Sequence, residues 1–136
     1  MAFNWPLRVY YEDTDAGGVV YHSQYLNFLE RARTEWLRSL GIEQQPLMEQ
    51  SGIRFLVAEM SIRFLAPARL DDKLSIRVEL DACKRVSLTL NQTIRRDGES
   101  RPLIEATVRI ASVGENFRPA RIPEDLLRRM TINGES

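Results

Sequence analysis

The fold is decided by the stretch Arg8-Val-Tyr-Tyr-Glu-Asp-Thr-Asp-Ala-Gly-Gly-Val-Val-Tyr-His22 and the residues directly after it. Residues 8–11 are rich in aromatic and β-branched side chains, which is typical of a strand. Residues 12–18 hold three carboxylates and two adjacent glycines, which predicts a loop with unusual backbone angles. Apolar residues then recur at helical spacing, which predicts a long helix with Ser23 as its N-cap and Gly41 just past its end.

The leading candidate for chemistry in this stretch is Asp15, whose carboxylate falls close to the start of the predicted helix. An accessible aspartate is ionised at neutral pH, and its carboxylate can attack an ester or thioester carbonyl or activate a water for that attack. The free N–H groups at a helix start can hold the oxyanion that such an attack creates. Asp13 and Asp15 are equally typical of a turn, in which their side chains accept backbone hydrogen bonds.

His22 is the one histidine of the chain and falls at the predicted helix start, seven positions after Asp15. Its backbone N–H can point into a site and its ring can bind a substrate or the carboxylate, but the ring can equally be solvated. Gly17 and Gly18 either let the backbone approach a ligand closely or simply make the turn.

From residue 53 onward, apolar and polar residues alternate, which predicts four further strands joined by tight, antiparallel connections. The alternation slips by one residue near Ala58-Glu59, which indicates a β-bulge. In a later strand Gln92 interrupts the apolar face. Short helices are predicted at residues 46–50 and 124–130.

These elements predict a single α+β domain over residues 1–136, in which a five-stranded antiparallel sheet wraps around one long helix. The helix must bury its apolar stripe, and a curved sheet is the available surface. The open edges of such a sheet favour pairing with a second copy, so we expect a dimer or a dimer of dimers.

Composition excludes several classes of function. Nineteen basic and 19 acidic side chains give a formal net charge of zero, which argues against a general nucleic-acid binder. Cys83 has no second cysteine to pair with, and no apolar run approaches the roughly 20 residues of a membrane span, so we expect a cytoplasmic protein. One His and one Cys do not build a typical zinc site, and nucleotide-binding fingerprints are missing, so neither metal nor cofactor is expected.

Two basic pairs, Lys84-Arg85 and Arg95-Arg96, fall at the ends of predicted strands. Such pairs are usually solvated, but they can also hold phosphate groups. Lys84-Arg85 is the preferred candidate, and Arg95-Arg96 or the arginines at positions 118 and 121 are the alternatives.

Residues 8–22 resemble the active-site signature of the 4-hydroxybenzoyl-CoA thioesterase family of hotdog-fold enzymes. Within that family they are most similar to the Tol-Pal-associated acyl-CoA thioesterases of Gram-negative bacteria. The resemblance continues in Glu30-Arg-Ala-Arg-Thr-Glu35 and Ala66-Pro-Ala-Arg-Leu-Asp-Asp72 and spans nearly the whole chain. It implies a hotdog fold, subunits that join their sheets in pairs, assembly of pairs into a homotetramer, and hydrolysis of an acyl-CoA.

The resemblance also assigns roles to residues. Asp15 falls on the family's catalytic carboxylate, which acts as nucleophile or general base, and His22 falls on the helix-start amide that polarises the thioester carbonyl. Asp13 is expected to be structural. The other residues expected to bind substrate are Gly17, Gly18, Tyr21, Tyr25, Glu59, Lys84 and Arg85.

Two other functions stay open at this point. A hotdog enoyl-CoA hydratase would need a catalytic histidine paired with a second acid or base, and His22 is the candidate. A non-catalytic scaffold would bind an acyl-CoA or an acyl carrier protein and leave the thioester intact. Acyl carrier protein is also an alternative carrier of the substrate of a thioesterase.

Overall fold

The structure, a computed structural model, describes residues 2–135 and contains one sheet of five antiparallel strands together with three α-helices. The spatial order of the strands is β1-β3-β4-β5-β2, so β1 and β2 form the two edges. The strands are β1 (Phe3–Arg8), β2 (Arg54–Phe64), β3 (Lys73–Cys83), β4 (Ser87–Arg96) and β5 (Pro102–Val113), and the helices are α1 (Gln24–Ser39), α2 (Gln44–Ser51) and α3 (Glu124–Glu135).

The five-stranded antiparallel sheet is confirmed. The helical part is not one long helix alone: the long helix α1 is accompanied by α2 and α3, which lie where the two short helices were predicted. Of the three, α1 is the longest, with 16 residues, and it contributes the most buried side chains. Its Phe28, Leu29 and Ala32 are fully buried in one core with the inward faces of β3 and β4. Burial of each large apolar side chain contributes about 1.5–3 kcal/mol, so this packing supplies much of the stability.

The first strand lies earlier in the chain than residues 8–11, where the sequence predicted it. Strand β1 pairs with β3 from Phe3 opposite Val78 to Arg8 opposite Lys73. The residues Tyr11–Asp13 form a 3-10 turn instead, because the Asp13 carboxylate accepts a hydrogen bond from the Tyr10 backbone N–H at 2.8 Å. A local side-chain bond of this kind competes with strand formation.

Strand β2 contains the predicted bulge, because its register with β5 shifts between Val57 and Glu59. As an edge strand it has one unpaired side, and it leaves Leu56, Val57 and Phe64 each at least 40% exposed. Exposed apolar residues on an open edge are typical of a surface that pairs with another chain. Within residues 2–135, no helix is long and apolar enough to span a membrane.

Gln92 lies on the inward face of β4, fully buried between Leu90 and Ile94. The alternation of buried and less buried positions therefore continues through this polar residue. Its side chain links β4 to α1: the Oε1 atom accepts a hydrogen bond from Arg33 at 3.1 Å, and the Nε2 atom donates to the Leu29 carbonyl at 3.0 Å. Burial lowers the pKa of Arg33, yet a guanidinium stays charged at neutral pH. Gln92 is therefore the polar partner of a buried cation.

Removal of this partner should destabilise the protein. We expect Gln92→Leu to lower the free energy of unfolding by roughly 1.5–3 kcal/mol, because the hydrogen bond to a charged group is lost inside the core. The double variant Gln92→Leu with Arg33→Met should recover most of that loss, because it replaces both polar partners with apolar ones. Urea unfolding of the two single variants and the double variant measures this coupling, and simple additivity of the single effects would contradict it.

Candidate active site

The acidic loop is a tight hairpin that leads directly into α1. The Asp15 N–H donates to the Val19 carbonyl at 2.9 Å, and the Gly18 N–H donates to the Asp15 carbonyl at 3.1 Å. Gly18 closes the turn at a φ of 79°, a left-handed conformation that favours glycine. Asp15 and the returning arm of the hairpin are therefore held by backbone hydrogen bonds.

The Asp15 side chain is exposed and only half engaged. Its Oδ1 atom accepts a hydrogen bond from the Gly17 N–H at 2.8 Å, which is the turn interaction predicted as the alternative role of this residue. Among the described residues, no donor contacts its Oδ2 atom. The turn bond orients the carboxylate and leaves one oxygen available to a ligand or a water, so the turn role and a chemical role are compatible.

The Asp13 side chain, in contrast, is buried and fully engaged. Its Oδ2 atom accepts the Tyr10 N–H, and its Oδ1 atom accepts the Gln24 side-chain amide, both at 2.8 Å. Its backbone carbonyl also accepts the Tyr21 N–H at 3.0 Å. Asp13 therefore fastens the 3-10 turn, the hairpin and the first residue of α1 to one another.

A chain of hydrogen bonds fixes the other side of the hairpin. The Val20 N–H donates to the Ala68 carbonyl, and the Ala68 N–H donates to the Tyr25 hydroxyl, each at 2.9 Å. Tyr25 is buried, with its ring 5.9 Å from that of Phe64. Burial raises the pKa of Tyr25, so its hydroxyl keeps a proton at neutral pH. In this bond the hydroxyl is the acceptor, which leaves its own hydrogen for donation.

His22 lies at the start of α1, as predicted. Its exposed ring packs on Tyr21 with the ring centroids 4.4 Å apart. Ser23 occupies the N-cap position without a side-chain capping bond. Within residues 2–135 the His22 backbone N–H has no hydrogen-bond acceptor. The helix start therefore presents an unused backbone donor next to the acidic hairpin.

An open groove of about 330 Å³ lies beside these residues. Its lining is mostly apolar, which suits a ligand with apolar groups. The groove brings together two predicted site residues, His22 and Tyr25, and the hairpin that carries Asp15 forms one of its walls through Val20. The remaining lining residues are Phe64, Leu65, Ala66 and Pro67.

Three predicted substrate-binding residues lie elsewhere in the chain. Glu59 is five residues before Phe64 on β2, about 17 Å along the strand, and its carboxylate is 3.8 Å from the Arg109 guanidinium. Lys84 and Arg85 follow the far end of β3, roughly 36 Å from the Asp72 end. One chain alone does not bring these residues to Asp15, because they occupy other parts of the sheet.

Arg96 was an alternative phosphate ligand, but its guanidinium is already engaged. It donates to the Asp72 carboxylate and to the Pro67 carbonyl, each at 3.0 Å, and the bond to Asp72 raises its pKa. Asp72 also accepts the Arg69 N–H at 2.8 Å. These bonds hold the segment that contacts Tyr25 and the hairpin. Asp72 belongs to the second stretch of resemblance, residues 66–72, and this resemblance was the sequence signal that could have pointed to its structural role.

Metal-ligating side chains are not clustered here. In the described part of the chain, no three His, Cys, Asp or Glu residues come together in a way that could hold a metal ion. The site's own residues offer a carboxylate with one unengaged oxygen in the hairpin and an unengaged backbone N–H at the start of α1.

The architecture is that of the hotdog-fold thioesterases. A probable thioesterase from Bartonella henselae superposes with a TM-score of 0.85 at 35% identity, covering 90% of this chain and 100% of that one. A 4-hydroxybenzoyl CoA thioesterase mutant complexed with 4-hydroxybenzoyl CoA superposes with a TM-score of 0.87 at 19% identity, which shows the shared fold alone.

The chain belongs to the thioesterase-like superfamily, whose family model matches residues 9–130. It is 42% identical to the acyl-CoA thioesterase YbgC of Haemophilus influenzae, over 91% of this chain and 90% of that protein. It is 45% identical to the acyl-CoA thioester hydrolase YbgC of Escherichia coli O157:H7, over 92% of each chain.

The two adjacent glycines should respond differently to substitution. A Cβ atom at Gly17 would lie 3.2 Å from the Asp15 Oδ1 atom, so Gly17→Ala should displace the carboxylate. Misplacement of a catalytic group by about 1 Å can lower the rate about 100-fold, and here the carboxylate must move by a few tenths of an ångström. We therefore expect a roughly 10-fold lower rate of thioester hydrolysis with little change in melting temperature. A wild-type kcat in Gly17→Ala would contradict the expectation that the position of the Asp15 carboxylate controls the rate.

Gly18→Ala meets no atom within 4 Å but must adopt a positive φ, so it should cost about 1–2 kcal/mol of stability.

Proposed function

We propose that this protein is an acyl-CoA thioesterase in which Asp15 is the catalytic carboxylate and the His22 backbone N–H is the oxyanion donor. One observation carries the proposal: the hairpin that bears an exposed carboxylate with an unused oxygen leads, two residues after Val20, to an unused N–H at the start of α1. The relatives named as acyl-CoA thioesterases support the reaction and the substrate class.

The reaction adds water across the C–S bond of the thioester and releases a carboxylic acid and a thiol. Asp15 acts either by removing a proton from the attacking water or by attacking the carbonyl carbon itself, after which water hydrolyses the anhydride. In both routes negative charge develops on the carbonyl oxygen, where the His22 N–H stabilises it. Loss of one such donor typically costs about 2.7–4 kcal/mol, so this bond is a major part of the catalysis.

The groove beside Tyr25 would hold the acyl chain or the pantetheine arm, with Phe64 as its apolar wall. In this proposal the Tyr25 hydroxyl, which accepts the Ala68 N–H, donates its own hydrogen to the bound substrate. Gly17 and Gly18 would let the hairpin approach the thioester, and Tyr21 would hold the His22 ring aside. The expected carrier is CoA, with acyl carrier protein as the alternative, and the expected location is the cytoplasm.

We further propose a dimer in which the open edge of β2 pairs antiparallel with β2 of a second copy, while each sheet wraps its α1. Such a pair would cover the exposed Leu56 and Val57 and join two sheets into one. The two-fold symmetry sets the beginning of β2 in one subunit beside the end of β2 in the other. Lys84 and Arg85 would then reach the groove of the other subunit, with Glu59 near the middle of the interface. Two such dimers can form a tetramer.

Substitution of Asp15 tests the catalytic role. Asp15→Asn should lower kcat by about 100- to 10,000-fold, the usual effect of removing a positioned base. The melting temperature should change little, because Asp15 is exposed and Asn keeps an oxygen for the Gly17 N–H. Steady-state hydrolysis of an acyl-CoA series measures the effect. Retained turnover would refute the proposal, and hydration of an enoyl-CoA without hydrolysis would favour the hydratase.

Asp13→Asn is the matched control, two residues away. It replaces an oxygen that accepts one of two buried hydrogen bonds. We expect a loss of about 1–3 kcal/mol of stability, in contrast to the unchanged stability of Asp15→Asn.

Mixed dimers test whether the site is shared between subunits. Lys84→Ala with Arg85→Ala should raise KM for acyl-CoA roughly 10-fold or more, because phosphate contacts are lost. When that variant is paired with an Asp15→Asn subunit, one site regains both Asp15 and the basic pair, so the wild-type KM should return with one active site per dimer. Two-tag purification isolates the mixed dimer, and an unrepaired KM would contradict the shared site.

A further inference from the structure

Phe117 is an aromatic residue that the core does not use. The residue is 64% exposed, and its φ of 62° is unusual for a bulky side chain. The residue sits at the tip of a short loop after β5, closed by hydrogen bonds from the Gly114 N–H to the Arg118 carbonyl and from the Phe117 N–H to the Gly114 carbonyl, both at 2.9 Å. Backbone strain of this kind costs free energy and is concentrated at functional sites.

One face of the ring is already covered by a cation. The Arg54 guanidinium carbon lies 5.4 Å from the ring centroid, and its Nη1 atom is 3.5 Å from the Gly114 carbonyl. Such a cation–π contact fixes the orientation of the ring. With Arg54 over one face and 64% of the residue exposed, the ring offers solvent a flat, apolar surface on which a planar ligand could stack.

The surroundings of the ring are basic. The backbone after Phe117 runs against the Lys84-Arg85 turn, since the Ile122 N–H donates to the Arg85 carbonyl at 2.9 Å. This places Arg118 and Arg121 on the same end of the sheet as Lys84 and Arg85, and all four are exposed. The acidic residue of the Phe117 loop, Glu115, lies against Gly52.

We propose that Phe117, backed by Arg54, is a stacking platform for the adenine base of the CoA substrate, an inference that rests on the proposed acyl-CoA activity. A purine presents a π face that stacks on an aromatic ring, and an arginine on the other side strengthens the stack. The neighbouring cations match the phosphates that are attached to the same nucleotide.

The position of the platform agrees with the proposed dimer. Arg54 is the first residue of β2, so antiparallel pairing of two β2 strands brings the platform beside the end of β2 in the second subunit. That end carries Phe64, the wall of the groove. The base would thus be held by one subunit and the thioester by the other, with the pantetheine arm between them.

The experiment compares Phe117→Leu, which keeps the apolar volume but removes the π face, with Phe117→Tyr, which keeps the ring. Phe117→Leu should raise KM for acyl-CoA about 5- to 100-fold, the range expected from loss of one base stack, without lowering kcat. KM for the matching acyl-pantetheine, which lacks the nucleotide, should stay the same. Phe117→Tyr should behave as the wild type with both substrates.

Calorimetric titration separates this inference from the proposed function, because it requires no catalysis. Adenosine 3′,5′-bisphosphate should bind Phe117→Leu more weakly than the wild type by a similar factor, whereas pyrophosphate, which has no base, should bind both equally.

Equal weakening of both ligands, an equal rise in KM for both substrates, or no effect at all would overturn the platform. A changed molar mass of Phe117→Leu in light scattering would also overturn it, because the ring would then be a subunit contact. Absence of hydrolysis in the wild type would refute the proposed function, and the titration would still decide the platform.

Discussion

The structure depends on one buried carboxylate. Asp13 accepts the Tyr10 N–H with one oxygen and the Gln24 side-chain amide with the other, so it joins the turn after β1 to the first residue of α1. A carboxylate that accepts two hydrogen bonds is a strong local constraint, because charge-assisted bonds exceed neutral ones in strength. This constraint sets where the acidic hairpin projects and how the helix start faces it.

Two aspartates two residues apart thereby acquire different roles. Asp13 is buried and has both oxygens engaged, whereas Asp15 is exposed and has one oxygen unused. The difference is produced by position in the hairpin, since both side chains have the same chemistry. Tyr25 and Arg96 hold the facing segment through Ala68 and Pro67, so the groove has a defined wall before any substrate binds. Such preorganisation lowers the cost of reaching the transition state.

Periodicity in the sequence was sufficient for the sheet, the bulge at Glu59 and the long helix, because these features follow from the spacing of apolar residues. The first strand was predicted wrongly at residues 8–11, because a pattern of hydrophobicity does not report the capping hydrogen bond of Asp13. The buried pair of Arg33 and Gln92 was missed for a related reason: each polar residue looks solvated until its partner on another element is known.

For the site, the sequence and its resemblance assigned Asp15 to the acidic loop and His22 to the helix start; the structure has Asp15 in the hairpin and His22 two residues after Val20 on its returning arm. The sequence could not show that Glu59, Lys84 and Arg85 occupy other parts of the sheet than the end that carries Asp15. That separation arises from strand direction and sheet order, which are properties of the whole sheet rather than of any local motif. The sequence also could not show that Arg96 is engaged with Asp72, because the two side chains are far apart along the chain.

In the proposed mechanism, the hairpin carboxylate and the helix-start N–H act on the same thioester. A crystal structure of the Asp15→Asn variant with an intact acyl-CoA tests it most directly. We expect the carbonyl oxygen about 3 Å from the His22 backbone nitrogen, with the carbonyl carbon facing the side chain at position 15. A thioester bound away from the start of α1, or a carbonyl oxygen held by another donor, would contradict it.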